Sequence, residues 1–314
     1  MDAGAGRARV GVGGIGRRDA RTALTPRGGT PGKLLWFCPV LALLVVVVVY
    51  PAGYLAWISV NETRYFTAIR FVGLQNYVAL FATDDFLDLS ETSLIFLLGT
   101  LSLALGGGLV SAVALQALPR ASAALVRTVL LLPWTLSMTV VGCLWLWLLN
   151  PSYGLVKSLL SMGGIPAGLM LGDPDVALWL VILTTGWWSF PYAMVLITAA
   201  LQSIPGELYE AIEVDGGGWR HKFGHVTWPH ILPTMANAGV ALSITYLTLV
   251  SLLVVMTGGG PLGATTTWSF AIYRQTMTGV DISSGAVLSA VILAVNIGLG
   301  FASKWLARRS HVGA

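Results

Sequence analysis

The chain has 314 residues, of which 55% are hydrophobic and only 10% charged, and its mean hydropathy is +0.77. A soluble domain carries about 25% charged residues, so one water-soluble core could not bury this much apolar surface. The composition excludes an ordinary soluble domain and predicts a membrane protein. Basic loops explain the net charge of +4 without a nucleic-acid partner.

Six long stretches of the chain contain few or no charged residues. Each can hold the ~20 apolar residues that cross a hydrocarbon core, and a charge at mid-membrane costs at least about 2.5 kcal/mol. In chain order, the predicted transmembrane helices are roughly 34–59, 92–117, 125–149, 177–201, 233–256 and 285–305. We expect helices because lipid cannot satisfy unpaired backbone groups. The predicted fold class is an all-α integral membrane protein with six transmembrane helices.

Orientation follows from the basic residues in the tails and short loops. Fourteen of the eighteen lysines and arginines lie in the two terminal regions and in the loops after the second and fourth helices. Basic loops stay in the cytoplasm, so both termini are predicted to be cytoplasmic. The predicted segments are a disordered basic tail (1–32), a first helix (33–60), an extracytoplasmic loop (61–91), a core with five helices (92–306) and a tail (307–314).

The segment between the fourth and fifth predicted helices, residues 203–230, differs from the other loops and is called the coupling loop below. Pro205 suits the first turn of a short helix, and Glu207 lies near its positive end. Three glycines at 216–218 end that helix, and a second one follows as far as Pro229. Anionic lipid attracts basic helices rather than acidic ones, so the acidic first half favours a protein partner.

Apolar residues recur at helical spacing in both halves of the coupling loop. This spacing predicts one narrow stripe in each short helix. The stripes consist of Leu208, Ala211 and Ile212 in the first helix and of Trp219, Phe223 and Val226 in the second.

Other patterns point less clearly to a site. His221 and His225 lie four residues apart, but no third ligand is evident, so a solvated loop face is favoured over a metal site. Trp187 could stack on a sugar ring, although packing or interfacial anchoring is the simpler interpretation. No arrangement of serine, cysteine or acidic residues indicates a catalytic site. The sequence therefore predicts neither a catalytic nor a metal centre.

One motif in the coupling loop resembles a known family signature. Glu210-Ala211-Ile212 is followed after three residues by Gly216 and after nine more by Val226-Thr-Trp-Pro229. This arrangement resembles the "EAA" signature of binding-protein-dependent ABC importer permeases, which reads Glu-Ala-Ala, three residues, Gly, nine residues, Ile-x-Leu-Pro. The pair Asp215-Gly216 also matches the family, whereas Ile212, Val226 and Trp228 are apolar replacements.

Two further segments resemble the carbohydrate branch of that family, the maltose and glycerol-3-phosphate permeases. Residues 71–77, Phe-Val-Gly-Leu-Gln-Asn-Tyr, follow the form F-x-G-L-x-N-Y after the first helix. Residues 257–261, Thr-Gly-Gly-Gly-Pro, with threonines at 265–267 and Tyr273, are similar to the stretch after the fifth helix. The resemblance extends from about residue 34 to 306. Residues 247–255 lack the frequent Phe-Asp pair of the family.

The resemblance implies the type I (MetI-like) importer permease fold and a subunit without catalytic residues or a cofactor of its own. It also implies several partners: a second six-helix permease, a cytoplasmic ATPase dimer that binds ATP and Mg, and an extracytoplasmic solute-binding lipoprotein. The location would be the bacterial inner membrane, in contact with lipid. The residues that would contact the ATPase are Glu207, Glu210, Ala211, Ile212, Asp215, Gly216, Phe223 and Pro229.

A solute path is expected near the membrane midplane, where polar or aromatic residues occur inside the predicted helices. The candidates are Trp187, Tyr192, Asn237 and Tyr246. The absence of charge in the predicted helices favours a neutral solute such as a sugar. A same-fold importer for another solute stays open, as does a secondary transporter, although the ionisable residues and inverted repeats common in that class are not evident. An integral-membrane enzyme would need a buried catalytic cluster.

Overall fold

The computed structural model describes residues 37–64, 67–164 and 168–310, with side chains as far as Lys304. The predicted tail 1–32 and the last four residues lie outside this range. Internal contacts divide the chain into one unit that ends at Pro51 and a second that begins at Ala52. All contacts described below belong to the second unit.

The described part of the chain is almost entirely helical. The first half contains α1 (Cys38–Ser59), the antiparallel strands β1 (Asn61–Arg64) and β2 (Thr67–Phe71), α2 (Gln75–Phe81), α3 (Asp84–Gln116), α4 (Arg120–Thr135), α5 (Met138–Leu148) and α6 (Leu155–Met162). The second half contains α7 (Pro174–Gln202), α8 (Gly206–Val214), α9 (Trp219–His221), α10 (Trp228–Leu247), α11 (Ser251–Met256), α12 (Trp268–Tyr273) and α13 (Ile282–Ser310).

Within the described ranges, four helices are long and apolar enough to cross a membrane: α1, α3, α7 and α13 as far as Lys304. The pair α4 and α5 would make a fifth span if the two helices, bent by 99°, form one broken span. Helices α1, α3, α7 and α13 match the predicted first, second, fourth and sixth spans. The pair α4 and α5 matches the predicted third span. Helix α10 covers most of the predicted fifth span but does not meet the same criterion. A multi-span helical membrane protein is thus confirmed, and the count of six remains a prediction.

Two predicted spans are interrupted. The span 125–149 breaks between α4 and α5, where Leu136 is extended (φ −83°, ψ 145°) shortly after Pro133, which has no N–H for the helix. The hydroxyl of Ser137 then accepts the N–H of Val140 and starts α5. Within the span 233–256, the first helix ends at Leu247. Just beyond it, the carbonyl of Leu249 accepts a hydrogen bond from the hydroxyl of Ser269 at 2.6 Å.

Helices α3 and α7 form the central pair of the fold. Small side chains allow their backbones to approach closely, as is usual between helices in lipid. A Cβ added to Gly108 would lie 2.6 Å from the Cβ of Ala193. The fully buried small residues on the two helices are Thr100, Ala104 and Ala112 on α3 and Ala177, Thr184, Thr185, Ser189 and Ala193 on α7. The C-terminal end of α7 leads directly into the coupling loop and thereby positions it.

Candidate functional sites

The first half of the coupling loop is a short helix with a defined end. Helix α8 begins directly after Pro205. At its C-terminus, the N–H of Gly217 donates to the carbonyl of Ile212 (2.8 Å) and that of Gly216 to Glu213 (3.0 Å). Gly216 has φ +76°, in the left-handed region. Together these features form the Schellman end of a helix, in which glycine avoids the strain that a Cβ would cause.

Sequence reasoning singled out Gly216 but missed its neighbour Gly217. A Cβ added to Gly217 would overlap the side chain of Ile212 and lie 3.0 Å from its carbonyl oxygen. The signal was present, because a Schellman end places this residue directly over the last turn of the helix. Gly216 is therefore required for its backbone conformation, whereas Gly217 is required because a side chain would not fit.

One face of α8 is anchored to the helix bundle. Tyr209 and Ile212 pack against the apolar cluster that contains Ile197, Val226 and Ile231. The hydroxyl of Tyr209 lies 3.1 Å from that of Thr227. These contacts attach α8 to the bundle.

The opposite face of α8 is open. Glu207, Glu210, Ala211 and Asp215 are all exposed, and so are Leu208 and Val214, of which Val214 is 88% exposed. The predicted stripe of Leu208, Ala211 and Ile212 runs along the boundary between these two faces. Ile212 is half-buried against the bundle, whereas the other two face outward. The helix turns by about 100° per residue, so the residue that packs with Ile212 is Tyr209, three positions earlier.

The second half of the coupling loop runs without a break into α10. Trp219 and Phe223 stack with ring centroids 5.6 Å apart, and Val226 is buried. A π-helical turn, Lys222–Thr227, joins α9 to α10, where Pro229 is the second residue. The wider turn accommodates a proline, which lacks the N–H and would crowd a regular α-helix. The predicted helix boundary at Pro229 is thus a change of helix type.

Charged groups also connect the two halves of the loop. Lys222 forms an ion pair with Glu213 across the glycine turn.

The two histidines of the loop lie side by side, and the rings of His221 and His225 stack 5.8 Å apart. Among the residues that the structure describes, no group of three or more potential metal ligands occurs.

The four candidate residues of the solute path occupy different environments. Tyr246 is 1% exposed, and its hydroxyl pairs with that of Ser189. Trp187 and Tyr192 are half-buried, Tyr192 against the ring of Trp134 at 5.2 Å. Asn237 is exposed on α10. The structure therefore brings three of them to one aromatic-rich cluster and leaves Asn237 on the helix surface.

The motif at residues 71–77 holds its segment against the end of the first helix. The side-chain amide of Asn76 donates to the carbonyls of Ser59 and Asn61, each at 3.0 Å. The hydroxyl of Tyr77 donates to that of Ser59 at 2.8 Å. These contacts give the Asn-Tyr pair of the motif a structural role.

The threonines that follow the second glycine run hold that run in place; residues 257–267 are called the threonine loop below. The hydroxyl of Thr265 donates to the carbonyl of Gly260 (2.9 Å) and that of Thr266 to Gly259 (3.0 Å). Thr257 and Thr265 also pair, at 2.7 Å. The two parts of the sequence motif are thus the two sides of one hydrogen-bonded loop.

A cavity of about 550 Å³ adjoins the threonine loop and was not predicted. It lies between this loop, the start of α3 and the turn after α12. Its charged residues are Asp85, Asp88 and Arg274.

Comparison with known proteins identifies the family. Residues 104–312 match the family described as "Binding-protein-dependent transport system inner membrane component". The chain belongs to this family. That assignment confirms the resemblance drawn from the coupling loop and places the protein among the permeases of the bacterial inner membrane, which are not themselves enzymes.

Relatives match over nearly the whole chain. The sulfoquinovosyl glycerol transport system permease protein SmoG of Agrobacterium fabrum is 32% identical, with 84% of this chain and 86% of the relative covered. The sn-glycerol-3-phosphate transport system permease protein UgpA of Yersinia enterocolitica is 35% identical, with 83% and 88% covered. A chain of a bacterial alginate ABC transporter is 22% identical with a TM-score of 0.71, over 88% of this chain and 94% of that one, which shows a shared fold.

Proposed function

We propose that this permease is one of two six-helix subunits that form the translocation path of an ATP-driven importer for a sugar or sugar-like solute. Both termini would lie in the cytoplasm, in line with the distribution of basic residues. Support for the solute class comes from the relatives, which are named for sulfoquinovosyl glycerol and glycerol-3-phosphate transport. Both names denote small, hydroxyl-rich solutes.

The proposed partners supply what this chain does not. A pair of cytoplasmic ATPases would bind ATP and Mg and hydrolyse the nucleotide, and an extracytoplasmic lipoprotein would deliver the solute. The chain itself would need neither a catalytic site nor a cofactor. Its task would be to form half of the path and to receive the movement of the ATPases.

The observation that carries this proposal is the two-sided build of α8. Its inner side is fixed to the bundle through Tyr209 and Ile212, and its outer side exposes Leu208 and Val214 among carboxylates. Exposed apolar side chains gain free energy when a partner covers them, and the carboxylates would select a basic rim on that partner. An ATPase that moves while it holds this surface would displace α8 as a rigid lever.

The solute would pass close to the half-buried aromatic residues. Trp187 and Tyr192 would stack on a sugar ring, and the exposed side chain of Asn237 would form hydrogen bonds with it. Tyr246 is enclosed, so it would contact the solute only after the surrounding helices separate. Separation of this kind is what alternation between inward- and outward-facing states requires.

The direct test is a pull-down of the tagged full-length chain from mild-detergent membranes of its native host, with mass spectrometry of the recovered proteins. We expect an ATPase, a second permease and a binding lipoprotein. A Val214→Asp variant should lose the ATPase and keep the second permease, because Val214 is 88% exposed on the outer side of α8. Leu262→Asp, at an exposed leucine outside the coupling loop, should keep both. A chain that purifies alone would contradict the proposal.

A further inference from the structure

A second cavity, of about 360 Å³, lies where the end of α3, the start of α4 and the end of α7 meet. Its polar lining consists of Gln116, Arg120, Arg127, Thr198 and Gln202, and we call it the arginine pocket. The coupling loop follows directly after α7, so the pocket lies at the same end of the bundle. None of the residues proposed to contact the ATPase or the solute lines it.

The pocket carries two positive charges and no negative one. Both ion pairs in the described part of the chain involve other residues, Glu62 with Arg70 and Glu213 with Lys222. The Nε of Arg127 is buried and has no hydrogen-bond partner within that part. A buried donor on a charged group costs free energy unless an acceptor meets it. An acceptor in the pocket would remove this cost, and the two positive charges favour an anion as that acceptor.

Further donors surround the two guanidinium groups. The side-chain amides of Gln116 and Gln202 are exposed at the pocket wall and can each donate two hydrogen bonds. Helix α4 begins at Arg120, and its N-cap residue Pro119 provides no side-chain cap. The first N–H groups of α4 thus add partial positive charge at the same place.

The position of the pocket relative to the apolar surface indicates the source of the anion. The exposed apolar side chains of α4 begin at Leu125 and continue with Val129 and Leu132. At 1.5 Å per residue, Leu125 is only about 7.5 Å along the axis from Arg120. If these exposed side chains face lipid, the pocket would lie where the lipid-facing surface begins, at the level of the headgroups.

We propose that the arginine pocket binds the phosphate of an anionic phospholipid headgroup. Arg120 and Arg127 would hold the phosphate oxygens, for which the planar guanidinium is well suited, and the two glutamines would complete the ring of donors. Basic pockets between transmembrane helices on the cytoplasmic side are suited to such headgroups. The pocket wall residues Leu115 and Ala123 belong to the same apolar cluster against which Tyr209 and Ile212 pack. An occupied pocket would therefore stiffen the support of the coupling loop.

The test uses the full-length chain with its accompanying subunits, stripped of lipid in mild detergent and titrated with phosphatidylglycerol under native mass spectrometry. Replacing both arginines by glutamine should weaken binding at least about tenfold, because hydrogen bonds to charged groups are the strong ones. Lys304→Gln removes an exposed charge elsewhere on the membrane-facing helices and should leave binding within about twofold. Ala124→Glu adds a carboxylate at the exposed rim of the pocket and should also weaken binding, even if the double variant fails to fold.

Two comparisons identify the occupant. Phosphatidylcholine, which has no net charge, should bind at least about tenfold more weakly than phosphatidylglycerol. Inorganic phosphate at the same concentration should not displace the lipid, and displacement would overturn the lipid assignment in favour of free phosphate. Equal lipid binding by wild type and Ala124→Glu would overturn the site itself. So would a loss of partner subunits, rather than of lipid, from the arginine variants.

Discussion

Two runs of three glycines, residues 216–218 and 258–260, precede and follow the helices α10 and α11 and have identical composition. In the second run the carbonyls of Gly259 and Gly260 accept threonine hydroxyls, and Gly259 lies against the buried ring of Phe270. In the first run only Gly217 is tightly packed, while Gly216 and Gly218 have open space around them. The same residues thus build a clamped loop in one place and an exposed turn in the other.

The difference predicts which of the two loops stays rigid and which can yield locally. A loop held by several buried hydrogen bonds opens only with the surrounding structure, whereas an exposed turn with few contacts yields locally. The clamped loop adjoins the cavity near α3, and the exposed turn joins the two halves of the coupling loop. Four predictions test this contrast.

The largest effect is expected for Gly259→Ala. The residue has φ +82°, and the added Cβ would overlap the ring of Phe270, which is 5% exposed. Strain and overpacking together should lower the free energy of unfolding by about 2–4 kcal/mol. Thermal unfolding in detergent measures this loss. Gly260→Ala is the control, since its Cβ would meet only the carbonyl of Thr257 at 3.4 Å, and an equal loss in both variants would contradict the clamp.

A substitution in the exposed turn should reduce solute transport and leave the assembly of the complex intact. Gly216→Pro cannot adopt φ +76° and loses the N–H that bonds Glu213, which costs about 2 kcal/mol locally. The end of α8 should unwind, while the partner subunits still co-purify. Because a loss of about 2 kcal/mol changes an equilibrium constant more than tenfold, ATP-driven uptake should fall at least about tenfold. Gly218→Ala should transport normally because nothing lies within 4 Å of its Cβ. Unchanged uptake by the proline variant would show that the turn is not part of the coupling path.

A smaller effect is expected for Thr266→Val in the threonine loop. Thr266 is 4% exposed, and the change removes its hydrogen bond to the carbonyl of Gly259. The free energy of unfolding should fall by about 1 kcal/mol. Thr248→Val removes an exposed hydroxyl that bonds Ile244 and should have almost no effect. A reversed order of the two losses would mean that the threonines do not clamp the loop.

The smallest effect concerns the ion pair of Glu213 and Lys222 across the exposed turn. The glutamate side chain is 61% exposed, so water and salt screen the pair. A double-mutant cycle with Glu213→Gln and Lys222→Gln should give a coupling energy below about 1 kcal/mol that decreases with added salt. A larger, salt-independent value would mean that the turn is held as firmly as the threonine loop.

Much of the membrane architecture could be predicted from the sequence because lipid imposes one simple rule, the absence of charge over about 20 residues. The breaks at Leu136 and Leu249 could not, because they depend on a cap by Ser137 and on a hydrogen bond from the distant Ser269. Pro133 was the available signal for the first break. The second break leaves no local trace in the sequence.

The candidate site could be predicted only in part from the sequence. Spacing indicated the two short helices of the coupling loop and the turn at Gly216. It left out Tyr209, which was not counted as apolar although it packs with Ile212 against the bundle. Gly217 was missed although its requirement is local, since an added Cβ would overlap Ile212 five residues earlier at the same helix end. The arginine pocket, by contrast, depends on residues of three helices that lie far apart in the sequence.

The central claim is that this permease moves solute only when partner ATPases act on its coupling loop. The most direct measurement reconstitutes the purified complex in liposomes with its binding protein and follows ATP hydrolysis and solute uptake together. We expect uptake to require ATP, and we expect Gly216→Pro to hydrolyse ATP with little uptake. Uptake by this chain alone, without ATP or partners, would contradict the account.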